Sequence, residues 1–224
     1  MTLSPNFPKT GLLQLPPQQL PAPTLTLEEP MHTLVLASAS PRRRELLAQA
    51  GFQFRVLPAN IPEHVLPGED PQAYVTRLAL QKAQAIHLAL APTEPGVIVL
   101  GADTTVVIDD HILGKPADAP DPIAEATRML RLLSGRTHRV MTGIALVSSS
   151  GSHSTAEITS VDFAPLTDAD IAAYVATGEP MDKAGAYAIQ GLAARWIPRI
   201  HGCYFNVVGL PIARVADLLA NHAQ

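Results

Sequence analysis

The chain has 224 residues, 47% of them apolar, a net charge of −4 and one cysteine, with an isoelectric point near 6.0. That length and apolar content suffice for a sizeable core, and the acidic balance argues against a general nucleic-acid binder, which needs a basic surface. A single cysteine excludes an internal disulfide framework and suits a reducing compartment. No apolar run approaches a membrane span, and no basic region followed by an apolar block marks a secretory signal.

In chain order, residues 1–30 hold seven prolines and no helix or strand period. They read as a disordered or extended arm, which leaves 31–224 as the folded domain. Leu34–Ala37 reads as a short buried strand. Ser40-Pro41 supplies an N-cap and a first-turn proline for a helix that Gly51 closes. Phe52–Leu57 alternates like a strand. Asp70-Pro71 opens a second helix with Tyr74, Leu78, Lys82, Ala83 and Ile86 at helical spacing. Val97–Ile108 is a long apolar run, turning near residue 110 and returning through Lys115, which would pair 104–106 with 114–116. Asp121-Pro122 starts a third helix that ends at Ser134-Gly135. Strands are expected at about 137–148 and 154–163, and Thr167 with Asp170 has capping-box spacing for a helix ending at Gly178. Trp196–Ile200 and Tyr204–Val208 read as a hairpin across His201-Gly202, followed by a last helix from Pro211 to His222. Interleaved helices and strands give an α/β class with a mixed sheet.

Three stretches carry chemistry. In "ASASPRRRELL" the helical wheel puts Arg43 within about 10° of the direction set by Leu46 and Leu47, with Arg42 and Arg44 on the flanks. An inward guanidinium needs an anion or a carboxylate. The free N–H groups of the helix start, an arginine fork and the hydroxyls of Ser38 and Ser40 would together hold phosphate. A structural Arg–Asp or Arg–Glu pair is the alternative. In "LGADTTVVIDDHILGKP" Asp103 follows a glycine in an apolar strand, and the hairpin returns Lys115 to its neighbourhood. Such a pair is either a buried ion pair or a place for a divalent cation and a phosphate. Glu63 and Lys82 are further candidates. The third stretch, residues 179–211, sets Asp182, Lys183 and Gln190 among Gly185, Gly191, Gly202 and Gly209, which suits a backbone approaching a ligand. The Gln190 amide can accept from N3–H and donate to O4 of uracil or thymine. Glycine-rich phosphate loops, HExxH, CxxC and GxSxG are absent, and His138 reads as structural or exposed.

The stretches "LVLASASPRRRELL", "LGADTTVVIDDHILGKP", "SGRTHRVMTGIAL" and "EPMDKAGAYAIQG…NVVGLP", in this order, resemble the Maf family of nucleoside triphosphate pyrophosphatases over about residues 33–219. The resemblance implies a long curved mixed sheet flanked by helices, in two lobes about a central cleft, as in inosine triphosphate pyrophosphatases. It implies hydrolysis of a nucleoside triphosphate to monophosphate and pyrophosphate with a divalent cation, Mg2+ or Mn2+. Asp103 matches the family's proton acceptor, and Arg42, Thr104 and Gln190 match its specificity positions. Ser38, Arg43, Glu63, Lys82 and Lys115 match other polar cleft positions, with Glu63 and Asp103 as the metal ligands. "DKAGAYAIQG" resembles the branch acting on dTTP and UTP. A 7-methyl-GTP pyrophosphatase, and a nucleotide-binding regulator of septum formation, are the alternatives. A cytoplasmic location, a homodimer, and no nucleic-acid or membrane partner complete the expectation.

Overall fold

The computed structural model describes residues 33–222; the proline-rich stretch 1–30 lies outside the described residues. Strand β1 (Leu34–Leu36) leads to α1 (Pro41–Gln49), β2 (Arg55–Val56) and the long α2 (Pro71–Leu90). The hairpin β3 (Ile98–Ile108) and β4 (His111–Leu113) precedes α3 (Pro122–Leu133) and the hairpin β5 (Thr137–Ser148) and β6 (Gly151–Asp162). Then come α4 (Asp168–Ala176), β7 (Arg199–His201), α5 (Tyr204–Val208) and α6 (Ile212–His222). The strands form one mixed seven-stranded sheet in the order β2-β1-β3-β5-β6-β7, with β4 also on β3. The β1 pairings are parallel and the rest antiparallel.

Local chemistry sets the boundaries. Asp70 accepts from the N–H groups of Gln72 and Ala73 at the start of α2, and Thr167 and Asp170 cap each other's backbone at the start of α4. Asp109 and Asp110 both take positive φ, the two-residue turn that matches strand twist. This turn makes the β3–β4 register one residue tighter than expected: Val106 faces Leu113, and Lys115 lies two residues beyond the ladder. Two strand expectations fail. Phe52–Leu57 contributes only Arg55–Val56, and Tyr204–Val208 is a helix. Asn206 explains the second difference. Its buried amide donates to Val140 O (3.0 Å) and Thr159 Oγ1 (2.9 Å), so the segment lies across β5 and β6 rather than beside β7, which pairs with β6 instead.

Alternate residues of β3 serve opposite faces. Val99, Gly101, Asp103 and Val107 lie under α2. Leu100 and Ala102 join Leu46 and Leu47 of α1 and Leu210 and Val215 near the C-terminus. Val106 and Ile108 belong to a separate core under α3 and α4, with Met129, Leu130 and Tyr174. The two cores flank a central cleft. Helix α2 rests directly on the strand backbone. A Cβ on Gly101 would stand 2.0 Å from Ala79 O, and one on Gly143 2.2 Å from Val75 O. Under α3, His138 is buried with Phe163 and Tyr187, its Nε2 2.7 Å from the Tyr187 hydroxyl and its Nδ1 without a partner among the described residues.

Two outcomes follow for stability. Gly143→Ala must push the α2 main chain off the sheet, at a cost of about 3 kcal/mol, read as a lower denaturant midpoint. Burial pushes the His138 imidazole down from 6.5 to about 4. The unfolded chain therefore takes up this proton at higher pH than the folded one, and stability falls as pH drops below 6.5. The loss reaches ~3 kcal/mol by pH 4. Melting curves of His138→Gln should show a shallower acid slope than those of the parent; parallel slopes would contradict this assignment.

Candidate active site

The site sits where the sheet is interrupted. On one edge β3 is paired along Val99–Val107 by β5. On the other, β1 stops opposite Leu100 and β4 arrives only at Val106, so residues 101–105 have no strand partner there. A cavity of about 540 Å³ opens at this gap, and both faces of β3 contribute to it. Ser38, Arg42, Arg43, Glu63, Lys82, Asp103, Thr104, Lys115 and Gln190 all line it, as does Ser40 at the α1 N-cap.

Arg43 plugs the interruption. Its guanidinium is buried, as the helical wheel requires, but its partners are neutral. Nε donates to Gly209 O (2.8 Å), Nη1 to Ser38 Oγ and Ala102 O (both 2.9 Å), and Nη2 to Thr104 Oγ1 (2.8 Å). The expectation that it needs an anion or a carboxylate is thus corrected: four neutral acceptors satisfy four of its five N–H groups. One Nη2 hydrogen remains for a ligand. Thr104 is committed in the same way, since its hydroxyl also meets Thr142 Oγ1 at 2.9 Å and Gly209 O at 3.3 Å. Thr104 therefore bears on the cavity through Arg43. Arg44 is exposed, and Arg42, half-buried at the mouth, faces Asp182 at 3.6 Å. Asp182 also holds Lys183.

On the other face Lys82 joins two carboxylates. Its Nζ is 2.6 Å from Asp103 Oδ1 and 2.7 Å from Glu63 Oε1. Lys82 and Asp103 are both buried. Burial raises the Asp103 carboxyl above the ordinary range, against the pull of Lys82 and Arg43. Burial acts the same way on Glu63, but the Lys82 hydrogen bond and the charges of Lys82, Lys115 and Arg43 outweigh it, and Glu63 lies below its ordinary value. Two neighbouring carboxylates are thus driven apart, the arrangement that assigns one to hold charge and the other to take a proton. The loop carrying Glu63 is tied to α2, where the Tyr74 hydroxyl donates to Glu63 O (3.1 Å) and Arg77 to His64 O (2.9 Å). Lys115 lines the cavity, exposed and without an ion pair among the described residues.

No cluster of three metal-binding side chains exists among the described residues. Asp103 Oδ2 and Glu63 Oε2 nonetheless take no hydrogen bond from the described residues. Two carboxylates suit a hard cation that keeps its waters and takes phosphate oxygens, as Mg2+ does, rather than one needing a protein cage. The donor set therefore fits the implied cation.

Gln190 also lines the cavity, exposed, its amide without a partner among the described residues. The loop bearing it is held by residues that sequence reasoning passed over. The Ala188 N–H donates to the Tyr174 hydroxyl (3.2 Å), and the Leu192 N–H to both oxygens of Glu179 (3.0 and 3.1 Å). The sequence does not single out Tyr174, and Glu179 only opens the third stretch; the signal available is the glycine at 191, where a Cβ would meet Glu179 Oε1 at 2.2 Å.

Known proteins match this chain closely. It is 54% identical over 186 residues to the dTTP/UTP pyrophosphatase of Koribacter versatilis, covering 83% of this chain and 92% of that protein. The dTTP/UTP pyrophosphatase of Symbiobacterium thermophilum is 52% identical over 84% of this chain and 93% of its own. That of Shewanella denitrificans is 54% identical over 84% and 95%. Among solved structures, the Ham1 protein of Staphylococcus aureus aligns with 69% of this chain and 85% of its own at 14% identity and a TM-score of 0.37, too slight a likeness to weigh. A family model described as Maf-like protein matches residues 33–222, the whole of the described sheet and cavity, and the chain belongs to the Maf family.

Proposed function

We propose that this chain hydrolyses dTTP and UTP to the monophosphate and pyrophosphate. The observation that carries the reading is the pairing, in one cavity, of a buried Asp103 held 2.6 Å from Lys82 with a Gln190 amide that has no partner among the described residues. The names of the relatives at 50% identity and above support the substrate class.

In this reading the triphosphate lies across the start of α1. Ser38 Oγ accepts from Arg43 and from the Ser40 N–H, and Ser40 Oγ from the Arg43 N–H, so each hydroxyl hydrogen is left to donate to phosphate oxygen. The helix start adds its positive potential. Arg42, Lys115 and the remaining Arg43 hydrogen neutralise the phosphates. Glu63 and Asp103 would hold Mg2+ or Mn2+, which supplies charge neutralisation at the phosphates when bound. Asp103 accepts the proton of the attacking water, the water oxygen bonds to the α-phosphorus, and the bond to the bridging oxygen breaks with pyrophosphate leaving. Lys82 keeps Asp103 ionised until the proton arrives and holds both carboxylates in place. Positioning and charge do most of the work. Gln190 accepts from base N3–H and donates to O4. No helix among the described residues is long and apolar enough to cross a membrane. A cytoplasmic location and a homodimer belong to the same reading.

Asp103→Asn should lower pyrophosphate release from dTTP by about 10³-fold with the circular dichroism spectrum unchanged; near-normal turnover would refute the assignment. Because Asp103 must be ionised to take the proton, kcat/KM should fall with decreasing pH as this carboxylate is protonated in the free protein. Across dTTP, UTP, dCTP, dATP and 7-methyl-GTP, the parent should prefer dTTP and UTP. Gln190→Ala should lose about tenfold of that preference.

A further inference from the structure

Gln190 stands on a short turn closed by the Gly191 N–H to Ala188 O at 3.0 Å. One side-chain pair holds both sides of it. Tyr174, buried in α4 with its ring edge-on to Trp196 at 5.4 Å, accepts from the Ala188 N–H and donates its own hydrogen to Glu179 Oε1 at 2.8 Å. Glu179 takes the Leu192 N–H on both oxygens. The main chain is thus fixed two residues before and two residues after Gln190, while the Gln190 side chain itself bonds to none of the described residues. The Glu179 carboxylate also lies close against Gly191, where an added Cβ would stand 2.2 Å from Oε1 and displace the carboxylate. Burial and Glu179 both push the Tyr174 phenol upward, so it stays protonated and the relay keeps one direction.

We infer that Tyr174 and Glu179 are positioning residues for base recognition, holding the Gln190 turn at the distance from the phosphate end that a pyrimidine with N3–H and O4 requires. The inference rests on the proposed role of Gln190. Fixing a reader's backbone matters because a hydrogen bond weakens steeply with misalignment. Neither Tyr174 nor Glu179 lines the cavity or bonds to Asp103 or Lys82, so the clamp reaches the nucleoside through the Gln190 backbone and not through the chemical step.

The test measures KM and kcat for dTTP, and the inhibition constant of inorganic tripolyphosphate, which carries no base. Tyr174→Phe keeps the ring on Trp196 and removes both hydrogen bonds. It should raise KM for dTTP about fivefold, change kcat less than twofold, and leave tripolyphosphate inhibition unchanged. Glu179→Ala should behave alike, whereas Glu179→Gln, which keeps an acceptor for the Leu192 N–H, should recover most of the parent KM. In a Gln190→Ala background Tyr174→Phe should add nothing. The inference is overturned if Tyr174→Phe and Glu179→Ala leave KM unchanged while Gln190→Ala raises it. It is overturned equally if they weaken tripolyphosphate and dTTP together, since that is general loss of structure. If Gln190→Ala itself changes neither KM nor base preference, the reading of Gln190 falls and this inference with it. Should Tyr174→Phe fail to fold, the Glu179 pair decides the matter.

Discussion

The contact on which the site depends is the one between α2 and the bare backbone of β3 and β5. Side chains normally hold a helix and a sheet apart. At Gly101 and Gly143 nothing does, and the carbonyls of Ala79 and Val75 occupy the space that two Cβ atoms would fill. Lys82 lies one turn beyond Ala79, and Asp103 two residues beyond Gly101 on the same face of the strand. Sinking the helix onto the sheet brings ammonium and carboxylate to 2.6 Å in a buried setting. Neither charge would tolerate burial alone. Packing of two glycines thus decides the electrostatics of the pair.

The second organising feature is the interrupted edge of β3. An unpaired strand edge inside a protein leaves main-chain groups to be satisfied. Here the Ala102 carbonyl is taken by the Arg43 guanidinium instead of by another strand. The same side chain collects Ser38, Thr104 and Gly209. A gap in the ladder therefore becomes an opening for a ligand, with the Ala102 carbonyl satisfied by a side chain.

Much of this was legible in the sequence, for identifiable reasons. The wheel of "SPRRRELL" separates the three arginines because a nine-residue helix with two buried leucines leaves one inward direction. Capping residues marked the starts of α1, α2, α3 and α4 because their hydrogen bonds are local. What failed was non-local. Tyr204–Val208 has the aromatic and branched composition of a strand, but Asn206 fixes it to β5 and β6 through contacts more than 45 residues away. The hydrogen-bond partners of Arg43 are two carbonyl and two hydroxyl oxygens, which sequence charge counting does not register. The Tyr174–Glu179 pair was passed over because its purpose is visible only when the 188–192 backbone lies against it.

The reach of Arg43 also bears on how the chain acquires its site during synthesis. The arginine is in the first helix, while Gly209, which accepts from its Nε, is 166 residues later. Two more acceptors come from the middle of the chain, at Ala102 and Thr104, and only the fourth, Ser38, is local. Contacts this far apart close the largest loops in the chain and form late. Until the C-terminal segment arrives, the guanidinium lacks its Gly209 anchor and the nascent cleft is unfinished. The buried arginine of the first helix is therefore among the last cleft residues to be set in place, and a nascent chain lacking its final helices would carry every proposed polar residue of the cleft without the anchor that closes it.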